Sequence, residues 1–220
     1  MEESTSREKV LKKVRNALIY KTDNPFPHID FDVPLYELPD ESIDVLFAKQ
    51  LMDTGGKFVY CESEADLVEN LGAINQQADW NNVFCSEPEL QYLLTQAGVP
   101  FHADEMDFEE IEVGITGCES LIARLGSVVV SSGQESGRRL IVFPEVHVVI
   151  AYTWQLLPDL KQALTALKTK YGTALPSLIS VITGPSRTAD IEKTLVMGAH
   201  GPRELIVFMV ESNNPNSEAE

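Results

Sequence analysis

Two short apolar runs constrain this chain most, Leu178-Ile179-Ser180-Val181-Ile182 and Leu205-Ile206-Val207-Phe208-Met209-Val210. Both have the length and composition of buried strands. The segment from Ile182 to Arg203, ITGPSRTADIEKTLVMGAHGPR, holds three glycines, two prolines, Thr183, Ser186, Arg187, Thr188, Asp190 and His200. The pattern predicts a strand, a polar turn, a short helix, a Gly-Pro turn and a second strand. Chains use such an order to place a binding loop at the end of a sheet.

The first half of the chain supports that architecture. Thr5 and Glu8 fit a capping box ahead of an amphipathic helix ending near Tyr20, with Lys9, Lys12, Lys13 and Arg15 on its polar side. Pro25, Pro27, Pro34 and Pro39 then mark an extended linker. Helical spacing returns over Ser42–Asp53, after Ser63, and after Ser86-Glu87-Pro88, where Ser86, Pro88 and Glu89 read as a capping box. Phe58–Cys61 and Val83–Cys85 read as strands between these helices. The alternation argues for a parallel, helix-covered sheet. Further on, Glu112–Gly117, Gly126–Ser131, Leu140–Val142 and Val146–Tyr152 read as strands. Cys118–Ala123 reads as one or two helical turns, and Pro158 opens a last helix.

Composition narrows the function classes. A chain of 220 residues suffices for one α/β domain, and its formal charge of -17 disfavours a nucleic-acid backbone as partner. The sequence has no run near the roughly 20 apolar residues of a membrane span, and its first residues lack a signal-peptide pattern, so a cytoplasmic location is expected. Cys61, Cys85 and Cys118 are far apart, and neither Cys-x-x-Cys nor His-x-x-x-His spacing occurs, so neither a metal nor a cluster site is expected in this chain.

The candidate site residues fall in loops. Thr183, Gly184, Ser186, Arg187, Thr188 and Asp190 surround the expected helix start, where free amides and the dipole favour an anion. Arg187 carries a fork matched to a carboxylate or phosphate. The alternative is that Ser186 or Thr188 only caps the helix and Arg187 pairs with Asp190 or Glu192. His200 lies between Gly198 and Gly201, which permit close backbone approach, and it is the candidate base. His147, at a strand start, is either a ligand contact or a core histidine. Glu119, after Gly117-Cys118, can serve as base or nucleophile, or bias the first turn of a helix.

The blocks GITGCESLIARLGSVVVSS, RRLIVFPEVHVVIAY and ITGPSRTADIEKTLVMGAHGPRELIVFMV resemble, in this order, the LUD domain of LutC/YkgG-type lactate utilisation proteins. The resemblance implies an α/β fold, a Rossmann-like three-layer sandwich of the NagB/RpiA/CoA-transferase-like group, with an N-terminal helix. The corresponding division is a helix and linker over 1–40, an α/β domain over 41–212 and a disordered tail over 213–220. It also implies an accessory role in an iron–sulfur-dependent system that oxidises L-lactate to pyruvate. The clusters would then sit on companion subunits, and a small carboxylate would be the ligand. Where relatives often carry Glu-Thr-Gly-Thr, this chain has Arg124-Leu125-Gly126-Ser127. Two other readings remain: a stand-alone CoA-transferase-like or sugar-phosphate enzyme using Glu119 as nucleophile, and a non-catalytic ligand-binding module.

Overall fold

The computed structural model describes residues 5–19, 23–30, 33, 36, 40–103, 110–191, 194–198 and 200–212, with the backbone alone described for 189–191 and 194–197. The chain divides into a unit over residues 1–37 and a unit over residues 38–220. The expected tail over 213–220, and Pro34 and Pro39 of the expected linker, lie outside the described residues. In the first unit, helix α1 spans Ser6–Ile19 and buries none of its residues. It opens with the expected box: the Thr5 amide donates to Glu8 Oε2 at 2.8 Å, and the Glu8 amide donates to Thr5 Oγ1 at 3.3 Å.

The second unit is built on a five-stranded parallel sheet. In chain order, α2 (Ile43–Asp53), β1 (Lys57–Cys61), α3 (Glu64–Ala78), β2 (Val83–Phe84), α4 (Pro88–Gln96) and β3 (Val113–Thr116) come first. β4 (Ser120–Ile122), β5 (Ser127–Ser131), β6 (Val146–Tyr152), β7 (Leu156–Leu157), α5 (Leu160–Tyr171) and β8 (Ile179–Ile182) follow. β9 (Arg187–Ile191), β10 (Thr194–Met197) and β11 (Glu204–Val210) complete it. The parallel sheet has the order β1-β11-β6-β3-β2, so the last strand in sequence is inserted beside the first. β6 and β11 occupy its centre and are almost wholly buried, as a strand covered on both faces must be.

Period-two alternation along these strands separates two cores. Val148, Ile150, Ile206, Phe208 and Val210 face α3 and α4, packing on Leu67, Leu71, Leu90, Leu93 and Leu94. Val149, Ala151, Leu205, Val207 and Met209 face the other way, onto Phe47 and Leu51 of α2 and onto Leu121, Val128 and Val130. Complete burial of Phe47 and Phe208 contributes about 2–3 kcal/mol each.

That second covering is itself a sheet, of order β7-β4-β5-β8, with β5 antiparallel to β4 and β8. Its outer residues Ile122 and Val129 pack on Ala163 and Leu167 of α5. The result is a Rossmann-like α/β sandwich of three layers, in which a small sheet with α2 forms the third layer and α5 backs it. Gly126 allows α2 to lie there: it has φ +57°, and a Cβ at this position would come within 2.2 Å of the Leu51 amide nitrogen.

Four local expectations are corrected. The short helix after Ser186 is an antiparallel hairpin, β9 with β10. Thr188, Ile191, Thr194 and Val196 are β-branched, and that preference prevails over the helical reading. Cys118–Ala123 is not helical: it contains strand β4, followed by a 3-10 turn over Ala123–Leu125, because Leu121 and Ile122 are needed in opposite layers. Leu140–Val142 is a turn rather than a strand, and its apolar character reflects the burial of Leu140 and Ile141. α4 is N-capped by Glu87 with no side-chain cap bond, and Ser86 Oγ is buried without a partner among the described residues. The box therefore does not form. By contrast, Ser63 caps α3 by accepting from the Asp66 amide, as the spacing implied.

Candidate functional site

The loop after β8 and the turn before β11 meet over the amino ends of β6 and β11. They enclose a cavity of about 220 Å3. Its floor is His147 and Leu205, which are neighbours in the β6–β11 register. One wall is Ile182, Thr183, Gly184, Pro185 and Ser186, and the facing wall is His200, Gly201 and Pro202. Ile141 and Val142 close the side. Open α/β sheets usually bind ligands at the carboxyl ends of their strands; this cavity lies at the opposite end.

Backbone hydrogen bonds fasten the two loops. The Ser186 amide donates to Pro202 O at 2.8 Å, and the Gly198 amide donates to Ser186 O at 3.0 Å. The loops touch closely at Gly201, where a Cβ would stand 3.1 Å from Ser186 Cβ and need a small shift of that side chain. Gly184, at φ +76°, lies against the end of α2, where a Cβ would be 2.5 Å from Thr54 O. Thr183 is held from the third layer, its hydroxyl 2.7 Å from Ser127 Oγ, which in turn donates to Leu125 O at 3.3 Å.

His147 is 1% exposed, and its Nε2 lies 2.9 Å from Thr116 Oγ1 at the end of β3. Burial pushes its pKa down to about 4, so the ring is neutral at physiological pH. His200 is exposed and Ser186 half-buried, so both are open to a ligand entering the cavity.

The structure therefore brings together six of the expected site residues: His147, Thr183, Gly184, Ser186, His200 and Gly201. Arg187 does not line the cavity. Its Nη2 donates to the Thr54 carbonyl at the carboxyl end of α2, where the helix dipole favours a cation. Thr188 is half-buried in the hairpin opposite Val196, outside the cavity lining. The backbone of Asp190 belongs to β9, and its side chain lies outside the described residues. With no helix after Ser186, the anion argument from a helix N-terminus no longer applies.

Glu119 also stands apart from the cavity lining. Its side chain is 2% exposed. Oε1 accepts from Ser131 Oγ and from Tyr171 OH, both at 2.6 Å, and Oε2 accepts from Lys170 Nζ at 2.7 Å. Burial acts to raise its pKa, but the hydrogen bonds from Lys170, Ser131 and Tyr171 outweigh it and hold the carboxylate below the usual range. This arrangement ties the start of β4 to β5 and to the end of α5.

Sequence reasoning missed the supports, Thr116 and Ser127, and the apolar walls. A hydroxyl at the head of the apolar strand SVVVS marks Ser127, which is wholly buried. Thr116 carries no such mark: its partner is 31 residues away.

Residues 102–210 match the LUD domain family. The chain is 36% identical over 105 residues to lactate utilization protein C of Bacillus licheniformis, covering 47% of this chain and 44% of that protein. It is 36% identical over 104 residues to lactate utilization protein C of Bacillus subtilis, covering 46% of this chain and 43% of that protein. To the YkgG protein of Escherichia coli it is 37% identical over 105 residues, covering 47% of this chain and 46% of that protein. The matched region thus spans less than half the length of each relative. A crystal structure of a DUF162 family protein from Deinococcus radiodurans superposes with a TM-score of 0.55 at 19% identity, covering 76% of this chain and 96% of that one. That likeness concerns the fold.

Proposed function

We propose that this chain, which belongs to the LUD domain family through residues 102–210, serves lactate utilisation by binding a small carboxylate in the cavity over β6 and β11. The observation that carries the proposal is the convergence of His147, Thr183, Ser186 and His200 on one cavity of about 220 Å3. That volume suits a ligand of a few heavy atoms, smaller than the usual drug-sized site. Ser186 and His200 supply the polar contacts, and His200, open to the cavity, is the candidate base for a ligand proton.

The redox step of lactate oxidation needs an electron acceptor, which we assign to companion chains carrying iron–sulfur clusters. The cysteines support that assignment. Cys61, Cys85 and Cys118 are buried, and burial pushes the first two thiols up to about 11 and about 12 and raises the third as well. Cluster ligands must be thiolates. The CoA-transferase-like reading is disfavoured by Glu119, whose oxygens are occupied by three donors.

Calorimetry of the purified chain with L-lactate, pyruvate and propionate tests the binding part. Saturable binding of at least one acid, weakened in Ser186→Ala and His200→Ala, is expected; no binding of any acid defeats it. Deletion of the gene should abolish growth on L-lactate and leave growth on glucose intact. The tagged chain should recover iron–sulfur proteins, and their absence from the recovered material would defeat the companion assignment.

A further inference from the structure

The hydrogen bonds in the cavity floor constrain its polarity. Thr116 has one hydroxyl proton, and two groups compete for it: the Gly117 carbonyl at 2.9 Å and His147 Nε2 at 2.9 Å. A carbonyl can only accept, whereas an imidazole nitrogen can also donate. Both contacts are satisfied together only if Thr116 donates to Gly117 O and accepts from His147 Nε2–H. His147 then carries its proton on Nε2 and a lone pair on Nδ1, for which the described residues provide no partner. The residue is 1% exposed and lines the cavity, so that lone pair is available to whatever the cavity holds.

Thr183 follows the same logic. Ser127 donates to Leu125 O, so it accepts from Thr183, whose hydroxyl proton is thereby used. Thr183 Oγ1 faces a ligand only as an acceptor. Two of the polar groups around the cavity therefore seek a donor, and a carboxylate alone has none.

We propose that His147 Nδ1 accepts a hydrogen bond from a hydroxyl of the ligand, so that the site selects hydroxy acids over the corresponding oxo and unsubstituted acids. This rests on the small-carboxylate reading of the same cavity. A 2-hydroxy acid donates its hydroxyl to His147 and turns its carboxylate to Ser186 and His200. A 2-oxo acid presents a second acceptor to an acceptor, and a buried polar group left unpaired is costly. The hydroxy form is then retained and the oxo form released.

The test uses the full chain labelled with 15N-histidine. Long-range 1H–15N spectra should show His147, assigned by its loss in His147→Gln, as the Nε2–H tautomer with an unprotonated Nδ1. Calorimetry then compares L-lactate, pyruvate, propionate and the neutral propane-1,2-diol. Lactate should bind about fivefold or more tightly than propionate and pyruvate. The gap should close in His147→Phe, which keeps a ring in the cavity floor and offers no acceptor in place of Nδ1. Equal binding of the three acids overturns the hydroxyl assignment and leaves the small-carboxylate reading standing. Binding of the diol but of no acid has the reverse meaning, sustaining the His147 acceptor and defeating the anion. An Nδ1–H tautomer, or no binding by any of the four, overturns the proposal.

Discussion

Glu119 and His147 are both deeply buried polar side chains near an end of a strand, yet the chain treats them in opposite ways. Glu119 has every oxygen engaged, by Ser131, Tyr171 and Lys170. His147 has one nitrogen engaged, by Thr116, has no partner for the other among the described residues, and lines a cavity. A buried polar group normally finds its partners within the protein. A fully satisfied cluster therefore reads as a brace, and a half-satisfied group beside a cavity reads as a site. The difference separates the two candidates that looked alike as sequence.

The largest expected effect is the pH response of His147. Its folded pKa is depressed, so the unfolded chain takes up a proton below about 6.5 while the folded chain resists until about 4. Stability is complete above the upper value and is lost as pH falls between the two, by up to about 3 kcal/mol. Urea unfolding at stepped pH should show this loss in the wild type and not in His147→Gln. Parallel curves would mean that the imidazole is not buried as a neutral group.

Glu119→Ala should cost about 2–3 kcal/mol, because it removes one ionised acceptor shared by three donors. Since the Glu119 pKa is lowered in the folded state, that contribution is present above the unfolded carboxylate value and lost as pH falls through the folded one. The variant should melt several degrees lower yet bind lactate within about twofold of wild type, as a change in the brace alone predicts. Loss of binding at unchanged stability would reverse the assignment and revive Glu119 as a reacting group.

Thr116→Val keeps the shape and removes the hydroxyl that orients His147. It should cost about 1 kcal/mol and reduce the preference for lactate over propionate. An unchanged preference would separate the His147 tautomer from selectivity. The smallest effect is expected from Arg187→Ala, at most about 1 kcal/mol, because the guanidinium is exposed and contacts only the end of α2 in the described bonds. Lactate affinity should stay within about twofold. A tenfold loss would mean that Arg187 leaves Thr54 and clamps the carboxylate.

Much of the scaffold follows from local pattern. The apolar runs before Ile182 and after Glu204, the Ser63 cap, the Thr5–Glu8 box and the strand at Val146–Tyr152 depend on residues a few positions apart, and all are found where that pattern places them. The small-residue loops at Gly184-Pro185-Ser186 and His200-Gly201-Pro202 likewise stand out in the sequence, and both line the cavity. Where local pattern failed, at Cys118–Ala123 and after Ser186, helical and strand spacing were both compatible with the residues. Pairing partners then decided the outcome.

The chemistry of the site rests on longer connections. Thr116 meets His147 across 31 residues, Glu119 meets Tyr171 across 52, and Arg187 reaches Thr54 across 133. Periodicity, capping and turn chemistry act over a few residues, so the sequence by itself determined the alternating elements, the buried faces and the two loops. Which polar groups satisfy one another depends on strand order and layer stacking. Only the tertiary structure therefore decided that Glu119 is a brace, that Arg187 serves a helix end, and that His147 lines the same cavity as Ser186 and His200.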